Sequence, residues 1–244
     1  MLKKIIIIGA SSGLGRSTAL EFARRGWMVG IAARRAERLE EIASAYPDRI
    51  RWTSMNVGAE DAINKLNNLI DSCGGMDVML YAAGVGYQDP EIDPAIVDST
   101  LMTNAVGFAR IATAAYKYFR DGNRCGQIAA ITSIAATKGI GISAAYSATK
   151  RFEQSYIEAL DQLAHTQKAK IKFTDIRPGF IRTALLSDER RYPMEMTVEK
   201  VTPVIVKAII KGRRVITIDW RWRIVTALWR MIPRWIWVRM RLDL

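Results

Sequence analysis

The chain has 244 residues, half of them apolar and a quarter charged, which suits one globular α/β domain and does not require two. Two cysteines, Cys73 and Cys125, and one histidine, His165, exclude a disulfide framework and a Cys- or His-based metal centre. The net charge is +12, unevenly placed: residues 211–244 hold nine Lys/Arg against two Asp, together with five of the seven tryptophans.

Both cysteines are expected to be buried small hydrophobes in a reducing compartment. Lys3-Lys4 followed by Ile5–Ile8 is too short an apolar stretch for a signal peptide and runs straight into Gly9, so it reads as a buried first strand. No later stretch offers about 18 uninterrupted apolar residues, which argues against a spanning helix and makes cytoplasm the expected location.

Short β-branched runs predict strands over 4–8, 28–32, 51–55, 78–81, 127–132, 172–177 and 215–218. Helical patterns lie between them over 13–25, 36–45, 60–72, 93–119, 144–167 and 198–211. This alternation predicts a doubly wound, open parallel sheet, whose ligands sit outside the carboxyl ends of the strands.

After the first strand comes Gly9-Ala10-Ser11-Ser12-Gly13-Leu14-Gly15, and then a helix. Glycine permits a tight turn and the close approach of a pyrophosphate, and the helix N-terminus presents free N–H groups to that anion. The same residues also match G-x-S-x-G, the nucleophile elbow of α/β-hydrolases. That rival needs a catalytic histidine, and the single one falls late in a long predicted helix; nothing upstream of Gly9 supplies the preceding strands. Dinucleotide binding is the better reading.

The second strand ends Ala32-Ala33-Arg34-Arg35, where an NAD-preferring site would place an acid for the ribose 2′-hydroxyl. The two guanidiniums suit a phosphate instead, with Ser11 adding a hydroxyl, so NADP(H) is the expected cofactor and NAD(H) the alternative. Further on, Ser133 follows the fifth strand, and Tyr146 and Lys150 stand at i and i+4 on one helix face. An ammonium beside a phenol favours the phenolate, a useful state for proton transfer near neutral pH.

Gly9 to Gly15, Ser133 and Tyr146-x3-Lys150 together resemble the short-chain dehydrogenase/reductase family in its single-domain form, from about Lys3 to Val201. The resemblance implies a Rossmann-like doubly wound parallel sheet of about seven strands and an NAD(P)-dependent enzyme. It makes Tyr146 the general acid or base, Lys150 the anchor of the nicotinamide ribose, and Ser133 the partner of the substrate oxygen. Asn104 matches the fourth catalytic position, which holds backbone and water geometry for proton relay. Pro178-Gly179-Phe180-Ile181-Arg182-Thr183 looks like the nicotinamide-side loop. Three positions depart from the family pattern. Ile8 replaces a threonine before the first glycine. Asn56-Val57 replaces Asp-Val, with an amide still able to bond adenine. Tyr81-Ala82-Ala83-Gly84 replaces Asn-Asn-Ala-Gly, losing two side chains while Ala83 and Gly84 keep backbone contacts to the cofactor.

Residues 1–218 are therefore read as the catalytic domain and 219–244 as an amphipathic tail. On a helical wheel Arg223, Arg230, Arg234 and Arg241 fall together, opposite Ile224, Leu228, Met231, Ile232 and Trp235. Pro233 marks the start of a second helix. The tail suits either a cap on the substrate pocket or an oligomer contact, or else the interface of an anionic membrane; nucleic-acid binding is not expected. The expected function is an NADP(H)-dependent oxidoreductase acting on a carbonyl or secondary alcohol of an apolar small molecule. It is expected to form a homo-oligomer and to have no metal site. The alternative is a non-catalytic, nucleotide-sensing or membrane-docked interaction protein on the same fold. The substrate pocket is expected from 85–94, 139–145 and 180–196.

Overall fold

Four isoleucines in β1 (Lys4–Ile8) point alternately to opposite sides of a sheet, Ile5 and Ile7 to one and Ile6 and Ile8 to the other. A strand apolar on both faces must be covered on both, the condition for a parallel sheet between helical layers. The computed structural model describes residues 2–183 and 192–241. After β1 come α1 (Gly13–Arg24), β2 (Met28–Ala33), α2 (Ala36–Ser44), β3 (Ile50–Ser54), α3 (Ala62–Ser72) and β4 (Val78–Tyr81). The second half holds α4 (Pro94–Thr100), α5 (Phe108–Asp121), β5 (Gly126–Ile131), α6 (Ala144–Thr166) and β6 (Ile171–Arg177). Two short strands, β7 (Ile181–Arg182) and β8 (Met196–Thr197), pair with each other, and α7 (Val198–Ile210) and β9 (Val215–Thr217) follow.

The sheet order is β3-β2-β1-β4-β5-β6-β9, and every pair in it is parallel. This is the doubly wound, Rossmann-like sheet that the alternation predicts, with boundaries shifted by one or two residues. The strands are added outward in one direction from β1 to β3 and in the other from β4 onward, so a crevice opens at the carboxyl ends of β1 and β4. One apolar layer gathers Phe22, Leu39, Val201 and Ile205 from α1, α2 and α7. The other gathers Leu66, Phe108, Ile111 and Ile157 from α3, α5 and α6.

The helix expected over 93–119 is not continuous. Asp93 caps α4 by accepting the Ala95 N–H at 2.8 Å, but Leu101–Gly107 forms a wider, π-type turn before α5 begins. That turn carries Asn104 into the interior, where it is fully buried. The cysteines also divide. Cys73 is buried, which pushes its thiol up to about 11, whereas Cys125 is exposed at the start of β5, contrary to the expectation for both.

The C-terminal segment forms α8 (Trp220–Met231) and α9 (Arg234–Trp237), with Pro233 at the N-cap of α9 as its fixed φ favours. No helix of the described residues is long and apolar enough to cross a membrane.

Candidate active site

Three glycines shape the turn after β1. Gly9 has φ +91°, and a Cβ there would lie 2.3 Å from the Ala83 nitrogen in the chain leaving β4. A Cβ on Gly15 would meet the Gly9 carbonyl oxygen at the same distance, and Gly13 has φ +54°. Side chains are thus excluded where β1, the β4 exit and the first turn of α1 converge, leaving backbone exposed to a ligand. Arg35 crosses from the end of β2 and donates to both the Ser11 and Ser12 hydroxyls, at 2.9 and 3.0 Å. Arg34 is exposed beside it, and its carbonyl accepts from Ser54 Oγ at 3.1 Å.

A cavity of about 640 Å³ runs from this turn across the carboxyl ends of the strands. Gly9, Ser11, Ser12, Gly13, Leu14 and Gly15 form one end, with Arg34 and Arg35 beside them. Asn56 and Val57 after β3, and Ala83 and Gly84 after β4, line the next section. Ser133, Tyr146 and Lys150 line the middle, and Pro178, Gly179, Ile181 and Thr183 close the opposite wall. Thr183 reaches the turn itself, with its Cγ2 only 3.4 Å from where a Gly13 Cβ would be. Of the catalytic and cofactor-binding residues expected from the sequence, only Asn104 does not line the cavity.

Asn104 lies one layer behind. Its Nδ2 donates to the Val85 carbonyl at 2.8 Å and to Thr149 Oγ1 at 3.1 Å, while Oδ1 accepts the Val85 N–H at 2.9 Å. It therefore clamps the chain leaving β4 to the helix that carries Tyr146. The departures at Tyr81 and Ala82 find a structural answer here. Tyr81 is fully buried, and its hydroxyl donates to the Thr103 carbonyl at 2.7 Å, tying β4 to the π-type turn.

Tyr146 and Lys150 share one face of α6, with the Lys150 Nζ 5.8 Å from the centre of the Tyr146 ring. Gly86 makes room for that ring, since a Cβ there would lie 2.8 Å from it. The Lys150 ammonium is buried. It donates to the Ile131 carbonyl at 3.1 Å and to both carboxylate oxygens of Glu153 at 2.9 Å. Burial opposes its charge, but Glu153, with Tyr146 and Asp175, outweighs that and holds it above the usual lysine range. For Glu153 the balance differs. Complete burial pushes its carboxyl up to about 7 against the pull of Lys150, and Asp175 adds to the rise.

Glu153 is a residue that motif spacing does not reveal, although an i,i+3 acid after Lys150 is a readable pairing signal. Beside it lies a buried network behind the cavity. Gln154 donates to the Ser133 carbonyl at 3.0 Å and to Thr132 Oγ1 at 3.2 Å, and Thr132 donates to Asp175 at 2.6 Å. Asp175 pairs with Arg177. Ser133 itself faces the cavity, its Oγ accepting the Ala135 N–H at 3.1 Å.

The far wall is apolar: Ile140, Ile142, Phe180, Tyr192 and Trp229 line it. Parts of the expected substrate loops are thereby found at the cavity, whereas residues 184–191 of the third loop lie outside the described residues. Trp229 comes from the tail, and so does the face that holds the tail down. Trp222 covers Gly179 so closely that a Cβ there would lie 2.2 Å from its indole nitrogen. Ring contacts run from Phe180 to Trp222, Trp229 and Trp237. Trp237 donates to the Gly139 carbonyl at 2.8 Å, and Lys138 donates to the Ile232 carbonyl at 2.8 Å. The face that docks is thus the tryptophan face. Of the apolar set of the sequence wheel, Ile224, Leu228, Met231 and Trp235 are exposed and Ile232 is half-buried.

Residues 3–193 match the family model for short chain dehydrogenase. The chain belongs to the short-chain dehydrogenase family. A relative described as an uncharacterized oxidoreductase of Mycobacterium tuberculosis is 30% identical, over 95% of this chain and 95% of its own. Among solved structures, a short-chain dehydrogenase from Sphingobium yanoikuyae in complex with NADPH superposes with a TM-score of 0.81 at 19% identity, covering 100% of this chain and 98% of its own. A 3-ketoacyl-(acyl-carrier-protein) reductase from Brucella melitensis complexed with NADH gives a TM-score of 0.80 at 22% identity, over 89% and 96%. As a member of this family, the protein is a nicotinamide-nucleotide-dependent oxidoreductase, and it carries the family's single-domain α/β fold.

Proposed function

We propose that the protein is an NADP(H)-dependent oxidoreductase that interconverts a carbonyl and a secondary alcohol on an apolar small molecule. The observation that carries this reading is that Ser133, Tyr146 and Lys150 line the same cavity as the glycine turn. The turn fits a dinucleotide, because no Cβ is tolerated at Gly9 or Gly15 and the first turn of α1 lies at the cavity. A nicotinamide held there would supply the hydride for carbonyl reduction and accept it back in alcohol oxidation.

The chain's own residues manage the proton and the charge. The Tyr146 hydroxyl donates its proton to the carbonyl oxygen during reduction and takes it back during oxidation. Lys150, kept cationic by Glu153, stands on the same helix face as Tyr146 and would hold the ribose hydroxyls of the cofactor. Ser133 Oγ hydrogen-bonds the same substrate oxygen as charge develops on it. Asn104 keeps the backbone at Val85 and the α6 helix in register behind the site. Asn56 and Val57 would hold the adenine, and Pro178, Gly179, Ile181 and Thr183, on the same cavity, would border the nicotinamide.

NADP(H) is favoured over NAD(H) because β2 is followed by no acid, and Arg35 already rests on the Ser11 and Ser12 hydroxyls, where a 2′-phosphate would take their place. The apolar wall of Ile140, Ile142, Phe180 and Trp229 supports an apolar substrate. Residues 1–218 act as the catalytic domain and 219–244 as a tail that caps its pocket, the reading that Trp229 at the cavity and the Trp237–Gly139 hydrogen bond support. Exposed Leu101 and Met102 in the π-type turn and Phe152 on α6 support a homo-oligomer. A purely nucleotide-sensing protein has no use for Tyr146, Lys150 and Ser133 around one cavity. The test is fluorescence titration with NADPH and NADH, followed by a screen of long-chain and ring ketones at the NADPH absorbance band. Tighter NADPH binding and turnover of apolar ketones support the reading; absence of NADPH binding defeats it.

A further inference from the structure

The tail is amphipathic in an unusual sense: both of its faces are apolar, and only one is used by the rest of the protein. Trp222, Trp229 and Trp237 face inward and hold the tail over the cavity, with Trp229 in its wall as a lid. On the other side Trp220, Ile224, Leu228, Met231 and Trp235 are each between 52% and 77% exposed. The spacing of three or four residues aligns Trp220, Ile224, Leu228 and Met231 in one stripe along α8, which is roughly 18 Å long, and Trp235 stands exposed on α9 beyond the extended Ile232-Pro233 break. A continuous stripe of large apolar side chains on a protein surface marks a docking face, unlike apolar residues scattered singly.

The charges around it choose the occupant. Arg223, Arg230, Arg234, Arg239 and Arg241 are exposed, and among the described residues none of them pairs with a carboxylate. Arg221 is the exception, held by Asp219. A second copy docking on this stripe would bring two such guanidinium clusters together, which like-charge repulsion opposes. An anionic bilayer supplies the opposite charge, an apolar layer deep enough for the stripe, and the interfacial zone that tryptophan favours.

From these observations we infer that the outer face of α8 and α9 docks peripherally on an anionic lipid surface, holding the tryptophan lid of the cavity at the membrane. The inner and outer faces belong to the same two helices, so a bilayer that grips the stripe also holds Trp229, a wall of the cavity. An apolar substrate would then pass between the bilayer and the cavity beside that lid. This last consequence rests on the proposed carbonyl chemistry; the docking does not.

The test is flotation of the full-length protein with phosphatidylcholine vesicles, with and without phosphatidylglycerol, at low and high salt. Wild type should float with the phosphatidylglycerol vesicles, less at high salt, and little with phosphatidylcholine alone. The variant Leu228→Asp/Met231→Asp changes only exposed side chains, so its thermal midpoint and NADPH affinity should match wild type. Its vesicle-bound fraction should fall by roughly tenfold or more. The inference is overturned if wild type stays at the bottom of the gradient with both vesicles, or if the variant floats equally well. It is also overturned if the stripe mediates a dimer, seen as a mass that the variant halves while wild type ignores lipid. Flotation without any NADPH-dependent turnover would defeat the enzymatic reading and leave the docking standing.

Discussion

Replacing Glu153 with glutamine keeps the shape of the side chain and removes the charge facing Lys150. In the wild type, burial lifts this carboxyl from an ordinary 4.5 to about 7. Below about pH 4.5 the folded and unfolded chains both hold the proton, so the group costs nothing. Between about 4.5 and 7 the unfolded chain releases its proton first, and stability falls as pH rises; above 7 the loss is complete. A displacement of about 2.5 units at ~1.36 kcal/mol each makes that loss of order 3 kcal/mol. Glutamine has no such slope. Removing the carboxylate also lets burial depress Lys150, whose neutral form then spares the folded chain a buried charge at alkaline pH, a change of the same sign. Glu153→Gln should therefore match wild type near pH 5 and gain on it by about 3 kcal/mol near pH 8, read from urea unfolding at several pH values. If the attraction between the pair outweighed the cost of burying it, the variant would lose ground as pH rises. That result, or parallel curves, would refute the reasoning.

Two other outcomes follow from the same geometry. Arg35→Ser should weaken NADPH binding by roughly tenfold or more while leaving NADH nearly unchanged, because only one cofactor presents a phosphate to the guanidinium; equal losses for both, by fluorescence titration at fixed salt, would point to general damage of the turn. Trp222→Ala empties the space above Gly179 and should cost about 3–5 kcal/mol of tail docking, exposing α8 to limited proteolysis at concentrations that leave wild type intact. Unchanged cleavage would mean that the other tail contacts hold the lid alone.

The sheet was legible because its signals are local. Four isoleucines ending in a glycine turn can hardly be anything but a central strand meeting a helix, and each later strand repeats that grammar. The residues lining the cavity were legible for a related reason: they cluster just after strands, where a parallel sheet must leave its crevice. The π-type turn at Asn104 was not, since nothing in Leu101–Gly107 departs from helical composition and the partners that Asn104 meets there, the Val85 backbone and Thr149, are distant in the chain. Glu153 was hidden by its type. An acid on a helix is ordinarily solvated, and its inward direction depends on which side of α6 meets the sheet. The tail shows the limit of a helical wheel. Periodicity separates aliphatic from basic residues well, but which apolar face is covered was decided by shape, with Trp222 fitting the gap that Gly179 leaves.

The assignment of Tyr146 as the proton donor and acceptor is central to this account. Tyr146→Phe removes the hydroxyl and keeps the ring that packs against Gly86. Measured with an active ketone found in the substrate screen, the variant should bind NADPH as wild type does while kcat falls by about 100-fold or more. Wild-type turnover in Tyr146→Phe would contradict the account.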